Sequence, residues 1–188
     1  AKGIYVANCP GKNAIAVAEL AIGHLINADR RIADNVASLR KHQWAKKEFG
    51  KARGLYGRTL AVLGGGKIGQ EVIARAQAFG MKVNLWSRSL TPERAEELGV
   101  NFAASPLEAC QQADAVSVHL AANADTHHLI NEEILGALNE GAYVINTSRG
   151  ELVDTNALAK ACDERGIRAG LDVFENEPAA TETEFPHA

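Results

Sequence analysis

The chain has 188 residues, 46% of them hydrophobic and 5% aromatic, the size of one compact domain with a sizeable core. Lysine and arginine number 20 against 23 aspartates and glutamates, and this formal charge of -3 argues against nucleic acid or an anionic membrane as the main partner. The longest apolar stretches, such as Ala14 to Ile22, are interrupted by Glu19 and fall short of the roughly 20 residues that span a bilayer, and no secretory leader pattern opens the chain.

In chain order, Val17, Leu20, Ala21, His24, Leu25, Ala28, Ile32, Val36 and Leu39 fall at helical steps. They predict one long amphipathic helix from Ala14 to Arg40, with Asp29, Arg30, Asp34 and Asn35 on its polar side. The basic run from Arg40 to Arg53, interleaved with Trp44 and Phe49, is broken by Glu48 and reads as a solvated or subunit-facing loop. From Thr59 onward strands alternate with helices. Strands are predicted at Thr59 to Leu63, Lys82 to Trp86, Ala115 to Leu120, Ala142 to Asn146 and Ala169 to Val173. The helices between them are Ile68 to Phe79, Thr91 to Leu98, Pro106 to Gln111, Asn131 to Ala137 and Asn156 to Arg165. Helical crossovers cover both faces of a parallel sheet, so the expected fold is α/β and doubly wound, with a long N-terminal helix.

Leu60-Ala61-Val62-Leu63 runs into Gly64-Gly65-Gly66-Lys67-Ile68-Gly69 and then a helical pattern, a G-x-G-x-x-G string between strand and helix. In such a Rossmann-type unit the first glycine permits the turn, the second lets backbone approach a pyrophosphate, and the third lets helix pack on strand. Lys67 and Ile68 open the helix whose free N–H groups and dipole would meet the phosphates. The second strand ends in Ser87-Arg88-Ser89, where an NAD site normally offers a carboxylate to the ribose 2′-OH. Without that acid, and with Arg88 able to pair with a 2′-phosphate, the residues favour NADP over NAD. Stacking of Arg88 on adenine would serve either cofactor.

Two further strands end in charge. Tyr143 to Asn146 leads into Thr147-Ser148-Arg149-Gly150, and Leu171-Asp172-Val173-Phe174 into Glu175-Asn176-Glu177-Pro178. Ligands of open α/β sheets collect at the carboxyl ends of strands, so these groups are expected to converge on one crevice. Together with the glycine turn, the segments Asn146 to Asp154 and Leu171 to Pro178 resemble the nucleotide-binding domain of the D-isomer-specific 2-hydroxyacid dehydrogenases. The opening Asn8-Cys9-Pro10-Gly11-Lys12-Asn13 is most similar to the D-3-phosphoglycerate dehydrogenase branch.

The resemblance implies that Arg149 binds the substrate carboxylate and polarises its keto oxygen, that Glu177 pairs with a catalytic histidine, and that Asp172 hydrogen-bonds the nicotinamide carboxamide. It also places His119, Thr126 and Thr147 along the cofactor cleft, and leaves Glu175 facing solvent. The implied partner is a small 2-hydroxy or 2-keto acid, with 3-phosphoglycerate favoured. A glyoxylate or hydroxypyruvate reductase, or a non-catalytic scaffold like the family's corepressors, are the alternatives. The family is generally dimeric or larger through this domain.

Histidine is the usual proton donor for such a reduction. His187 stands in the only Pro-His pair, nearer to Glu177 than the family's spacing, so it is either that histidine or a linker residue shortly before it. His127-His128 falls in a polar loop beside the cleft, and His24 and His42 read as structural. Cys9, Cys110 and Cys162 are scattered and read as reduced cytoplasmic thiols, and no metal-ligand set is read. The start without Met and the end after Pro186-His187-Ala188 suggest that residues 1–188 are a dinucleotide-binding domain excised from a two-domain enzyme.

Overall fold

A computed structural model describes residues 3, 5, 7 and 11–178. His187 and Asn8, Cys9 and Pro10 of the Asn8 to Asn13 opening therefore lie outside the described residues. The chain order is α1 (Ala14–Arg30), α2 (Ile32–Arg40), α3 (Lys46–Phe49), β1 (Thr59–Leu63), α4 (Lys67–Ala78), β2 (Lys82–Trp86), α5 (Pro92–Glu97), β3 (Asn101–Phe102), α6 (Pro106–Cys110), β4 (Ala115–Val118), α7 (Glu132–Ala137), β5 (Tyr143–Asn146), α8 (Thr155–Arg165) and β6 (Arg168–Leu171). All strand pairs are parallel, in the order β3-β2-β1-β4-β5-β6. The order reverses between β1 and β4, which opens a crevice at their carboxyl ends.

Both faces of the sheet are buried, as helical crossovers require. Leu60 and Val62 point into one core with Leu25, Val72, Ile73, Leu85 and Ile145. Ala61 and Leu63 point into the other with Val116, Val118, Ile134, Leu135, Val144 and Leu158. The period of two along β1 thus supplies two cores from one strand. The short helices start where side chains can satisfy free N–H groups. Thr91 accepts from Arg94 N, Ser105 from Glu108 N, Asn131 from Ile134 N, and Asp154 from both Asn156 N and Ala157 N. Pro92 and Pro106 occupy first-turn positions, where the missing N–H costs nothing.

The long helix expected from Ala14 to Arg40 is instead two helices, broken at Arg31, which sits in the left-handed region (φ 52°, ψ 47°). Asp29, expected on the polar side, is only 2% exposed. Its carboxylate accepts hydrogen bonds from Arg53 N, Gly54 N and the Tyr143 hydroxyl and lies 3.6 Å from Arg58 Nη1. Anchored there, the helix ends. Arg31 offsets its unfavourable backbone through Asp34 and Glu48, at 2.9 and 2.7 Å, and through the face of Phe49. Asn27 Oδ1 accepts from Ala33 N and so helps to start α2.

The loop expected from Arg40 to Arg53 contains the short helix α3. The strands predicted as Ala115 to Leu120 and Ala169 to Val173 stop earlier, at Val118 and Leu171, because the chain peels away there to wall the crevice. The two-residue strand β3 is additional to the predicted set.

Candidate functional site

The glycine turn is built by close contact. Gly64 has φ 115°, and a Cβ there would strike the carbonyl of His119. A Cβ on Gly69 would strike the carbonyl of Gly64, so α4 can approach β1 only because residue 69 has no side chain. Gly66 differs: its φ is −71°, and a Cβ there would meet nothing within 4 Å. The backbone at Gly66 is left bare toward open space at the N-terminus of α4, which suits an approaching anion. Lys67 lies over Gly11, and Ser87 approaches Gly65 at the end of β2. Arg88 and Ser89 are exposed beyond it.

A crevice of about 500 Å³ opens between the ends of β1, β4 and β5, lined by Asn13, Val17, Ile68, His119 to Ala122, and Thr147 to Arg149. Two of its polar atoms, His119 Nδ1 and Thr147 Oγ1, are buried without a protein partner. His119 Nε2 is spent on Ser117 Oγ at 2.8 Å, and burial pushes the imidazole down to about 4, so the ring is neutral near pH 7. Orphaned polar atoms of this kind fit a site that a polar ligand completes. Thr126 stands behind the wall: its hydroxyl donates to Ala121 O and accepts from Asn123 N, holding the loop that carries Ala121 and Ala122.

A second crevice, of about 540 Å³, is lined by His127, Arg149, Gly150, Glu151 and residues 173–177. Arg149 borders both. Its presentation is built locally: Asn146 Nδ2 donates to Arg149 O, Asn146 Oδ1 accepts from Ser148 N, and Ser148 Oγ donates to Val118 O at 2.7 Å. The guanidinium is exposed, with one hydrogen bond to Ser148 O. Glu177 is exposed in the same crevice, and its carboxylate accepts from Phe174 N at 2.9 Å. Asp172 is exposed at the end of β6, its N–H bonded to Asn146 O. A Cβ on Gly150 would strike the backbone of Phe174 and Glu175, so the Arg149 and Glu177 segments touch main chain to main chain.

Residues 22–188 match the NAD binding domain of the D-isomer specific 2-hydroxyacid dehydrogenases. The chain belongs to this family. It is 42% identical over 178 residues to the D-3-phosphoglycerate dehydrogenase of Methanocaldococcus jannaschii, covering 94% of this chain and 34% of that protein. It is equally 42% identical over 191 residues to the glyoxylate reductase of Thermococcus litoralis, covering 98% and 57%. Among solved structures, D-lactate dehydrogenase from Aquifex aeolicus complexed with NAD and lactic acid superposes with a TM-score of 0.83 at 34% identity, covering 93% of this chain and 52% of that one. The chain thus spans between a third and somewhat over half of the length of these relatives.

Ile68, His119, Thr147 and Arg149 line one crevice, with Gly64 packed against the His119 carbonyl beside it, and Arg149 and Glu177 share the other. Glu175, expected to face solvent, is instead engaged on both oxygens. Oε1 is 2.5 Å from His128 Nε2, and Oε2 accepts from Thr155 Oγ1 at 2.6 Å and from Thr155 N. Burial raises its pKa, but the hydrogen bonds from Thr155 and His128 prevail and hold it below the usual carboxylate range. Sequence reasoning also passed over Asn146, which organises the Arg149 turn. An Asn at a strand end before Thr-Ser-Arg-Gly is an Asx-turn signal that could have found it.

Proposed function

We propose that this domain is the cofactor-binding half of a two-domain cytoplasmic enzyme that transfers hydride between a nicotinamide dinucleotide and a D-2-hydroxy acid, with 3-phosphoglycerate and 3-phosphohydroxypyruvate as the favoured pair. The observation that carries this reading is the position of Arg149 on the border of two crevices, one lined by Ile68 from the glycine turn and holding two orphaned polar atoms, the other lined by Glu177. When bound, the dinucleotide supplies the hydride donor or acceptor. Gly64, Gly66, Lys67, Ile68 and Gly69 take its pyrophosphate, Ser87, Arg88 and Ser89 its adenosine ribose, and His119, Thr147 and Asp172 its nicotinamide end. Thr126 acts through the loop it closes.

Arg149 meets the planar carboxylate of the keto acid with its guanidinium fork, and its fixed charge stabilises negative charge growing on the reacting oxygen. Glu177 orients and charges the proton-carrying histidine, for which His187 is the candidate in this chain. The domain alone binds dinucleotide and turns over nothing, because the opposite wall of the cleft lies outside it. In the complete enzyme, Arg149→Ala is expected to lower kcat/KM by on the order of 3–4 kcal/mol while leaving cofactor affinity within a few fold. A near-normal rate with weakened cofactor binding would refute the assignment.

A second reading, glyoxylate or hydroxypyruvate reduction, is favoured by the Ser87-Arg88-Ser89 end and by the equal likeness to the Thermococcus litoralis protein. Turnover of the complete enzyme with a panel of 2-keto acids separates the two. A homodimer or larger assembly is the partner reading. Ile32, Val36 and Leu39 on α2 and Trp44 just after it are all exposed, Trp44 to 78%. Exposed apolar residues grouped in this way suit a subunit contact.

A further inference from the structure

The dehydrogenase reading leaves unused the pair His127-His128 and the carboxylate of Glu175, which the fold brings together from positions 47 residues apart. The ligating atoms of these three side chains all lie within 4.8 Å of one another. We propose that His127, His128 and Glu175 form a binding site for a divalent transition ion of the zinc type, at the rim of the crevice that Arg149 and Glu177 share.

Two imidazoles and one carboxylate are the donor set of an open zinc, cobalt or nickel site, and are too soft and too few for calcium or magnesium. Ligand bonds of about 2.0–2.2 Å in a tetrahedral arrangement set the donor atoms roughly 3.5 Å apart, so the cluster needs to shift by about an ångström. His127 can supply that shift. It is exposed, and its ring rests against His128 with centroids 4.0 Å apart and 26° between planes.

The rest of the site is held. His128 Nε2 and Glu175 Oε1 lie 2.5 Å apart in a hydrogen bond that an ion between them would replace. The other Glu175 oxygen is fixed by Thr155 at the start of α8. His128 Nδ1 lies 4.0 Å from Asp154 Oδ2, so a small rotation of the ring would bring it to an outer carboxylate of the kind that orients ligating imidazoles. The crevice reaches both His127 and Glu175, giving an entry path and room for a water or another oxygen in the open position. Arg149 opposes a cation in that crevice, and Glu151 and Glu177 on its walls offset the charge. The site stands independently of which 2-hydroxy acid, if any, the protein acts on.

The test is titration of the chain with Zn²⁺ and Co²⁺ by calorimetry and absorption. A background carrying Cys9→Ser and Cys162→Ser removes competing thiols. The expected result is saturable binding of one ion per chain. Co²⁺ should give the intense visible bands of a four- or five-coordinate centre. Affinity should fall at least ~tenfold in His127→Gln and in Glu175→Gln. His127 bears no side-chain hydrogen bond among the described residues, so its substitution leaves the fold in place and decides the matter if Glu175→Gln does not fold. No saturable binding, or binding that His127→Gln leaves unchanged, overturns the proposal.

Discussion

Replacing Gly66 by alanine separates a phosphate cradle from a merely tight turn. The backbone at Gly66 has φ −71°, open to any residue, and the added methyl would meet no atom within 4 Å. Against the modest preference for glycine over alanine at a helix start stands a gain of ~0.4–1 kcal/mol from a stiffer unfolded chain. The fold should therefore change by less than about 1 kcal/mol, a melting shift under roughly 2–4 °C for a domain of this size.

Cofactor affinity should respond very differently. The methyl would occupy the approach to the free N–H groups at the start of α4, and one charge-assisted hydrogen bond lost there is worth ~1.5–3 kcal/mol, or about ten- to a hundredfold in Kd. Calorimetry with NADH on the parent and Gly66→Ala, beside thermal unfolding of both, gives the two numbers. Parent-like NADH affinity in a folded Gly66→Ala protein would refute the cradle. A loss of several kcal/mol in stability would show instead that the open space is not open.

Three further outcomes follow from the geometry. Asp29→Ala removes a buried carboxylate from Arg58, the Tyr143 hydroxyl and two backbone N–H groups, while Arg58 keeps Asp114 at 3.6 Å, so urea unfolding should show a loss of about 1.5–3 kcal/mol; a loss under about 1 would mean that water replaces the carboxylate. Because burial lowers the His119 pKa from 6.5 to about 4, the unfolded chain takes up a proton before the folded one as pH falls, and stability should decline between those values by up to roughly 3 kcal/mol. Above pH 6.5 that contribution is fully present, and His119→Asn should flatten this part of the pH profile; an unchanged slope would place the titration elsewhere. In the complete enzyme, Ser87→Asp with Arg88→Ala should move the ratio of kcat/KM for NADPH over NADH toward NADH by about ten- to a hundredfold, and a parent that already prefers NADH with an unmoved ratio would make Arg88 a bystander.

Strands and the glycine turn were legible because their signals are local: four apolar residues, then glycines whose spacing states their task. What escaped was long-range or unmarked. Periodicity runs through Asp29 and Arg31 without interruption, and nothing nearby announces that Asp29 will meet Tyr143, 114 residues away. Arg31 adopts a backbone that glycine would have signalled and arginine does not. The strand Asn101–Phe102 is too short to display alternation. Glu175 looks like one more acid in an acidic tail segment, and only the fold reveals His128 and Thr155 on either side of it. Arg149 was readable because a charge directly after a buried strand has only the crevice to enter.

The absence of a side chain at Gly150 couples two segments that lie far apart in the chain. With the turn behind Arg149 pressed against the main chain of Phe174 and Glu175, the cation and the Glu177 carboxylate belong to one stiff jaw. A methyl at position 150 would push these two stretches of main chain apart and so shift the footing of both charges at once.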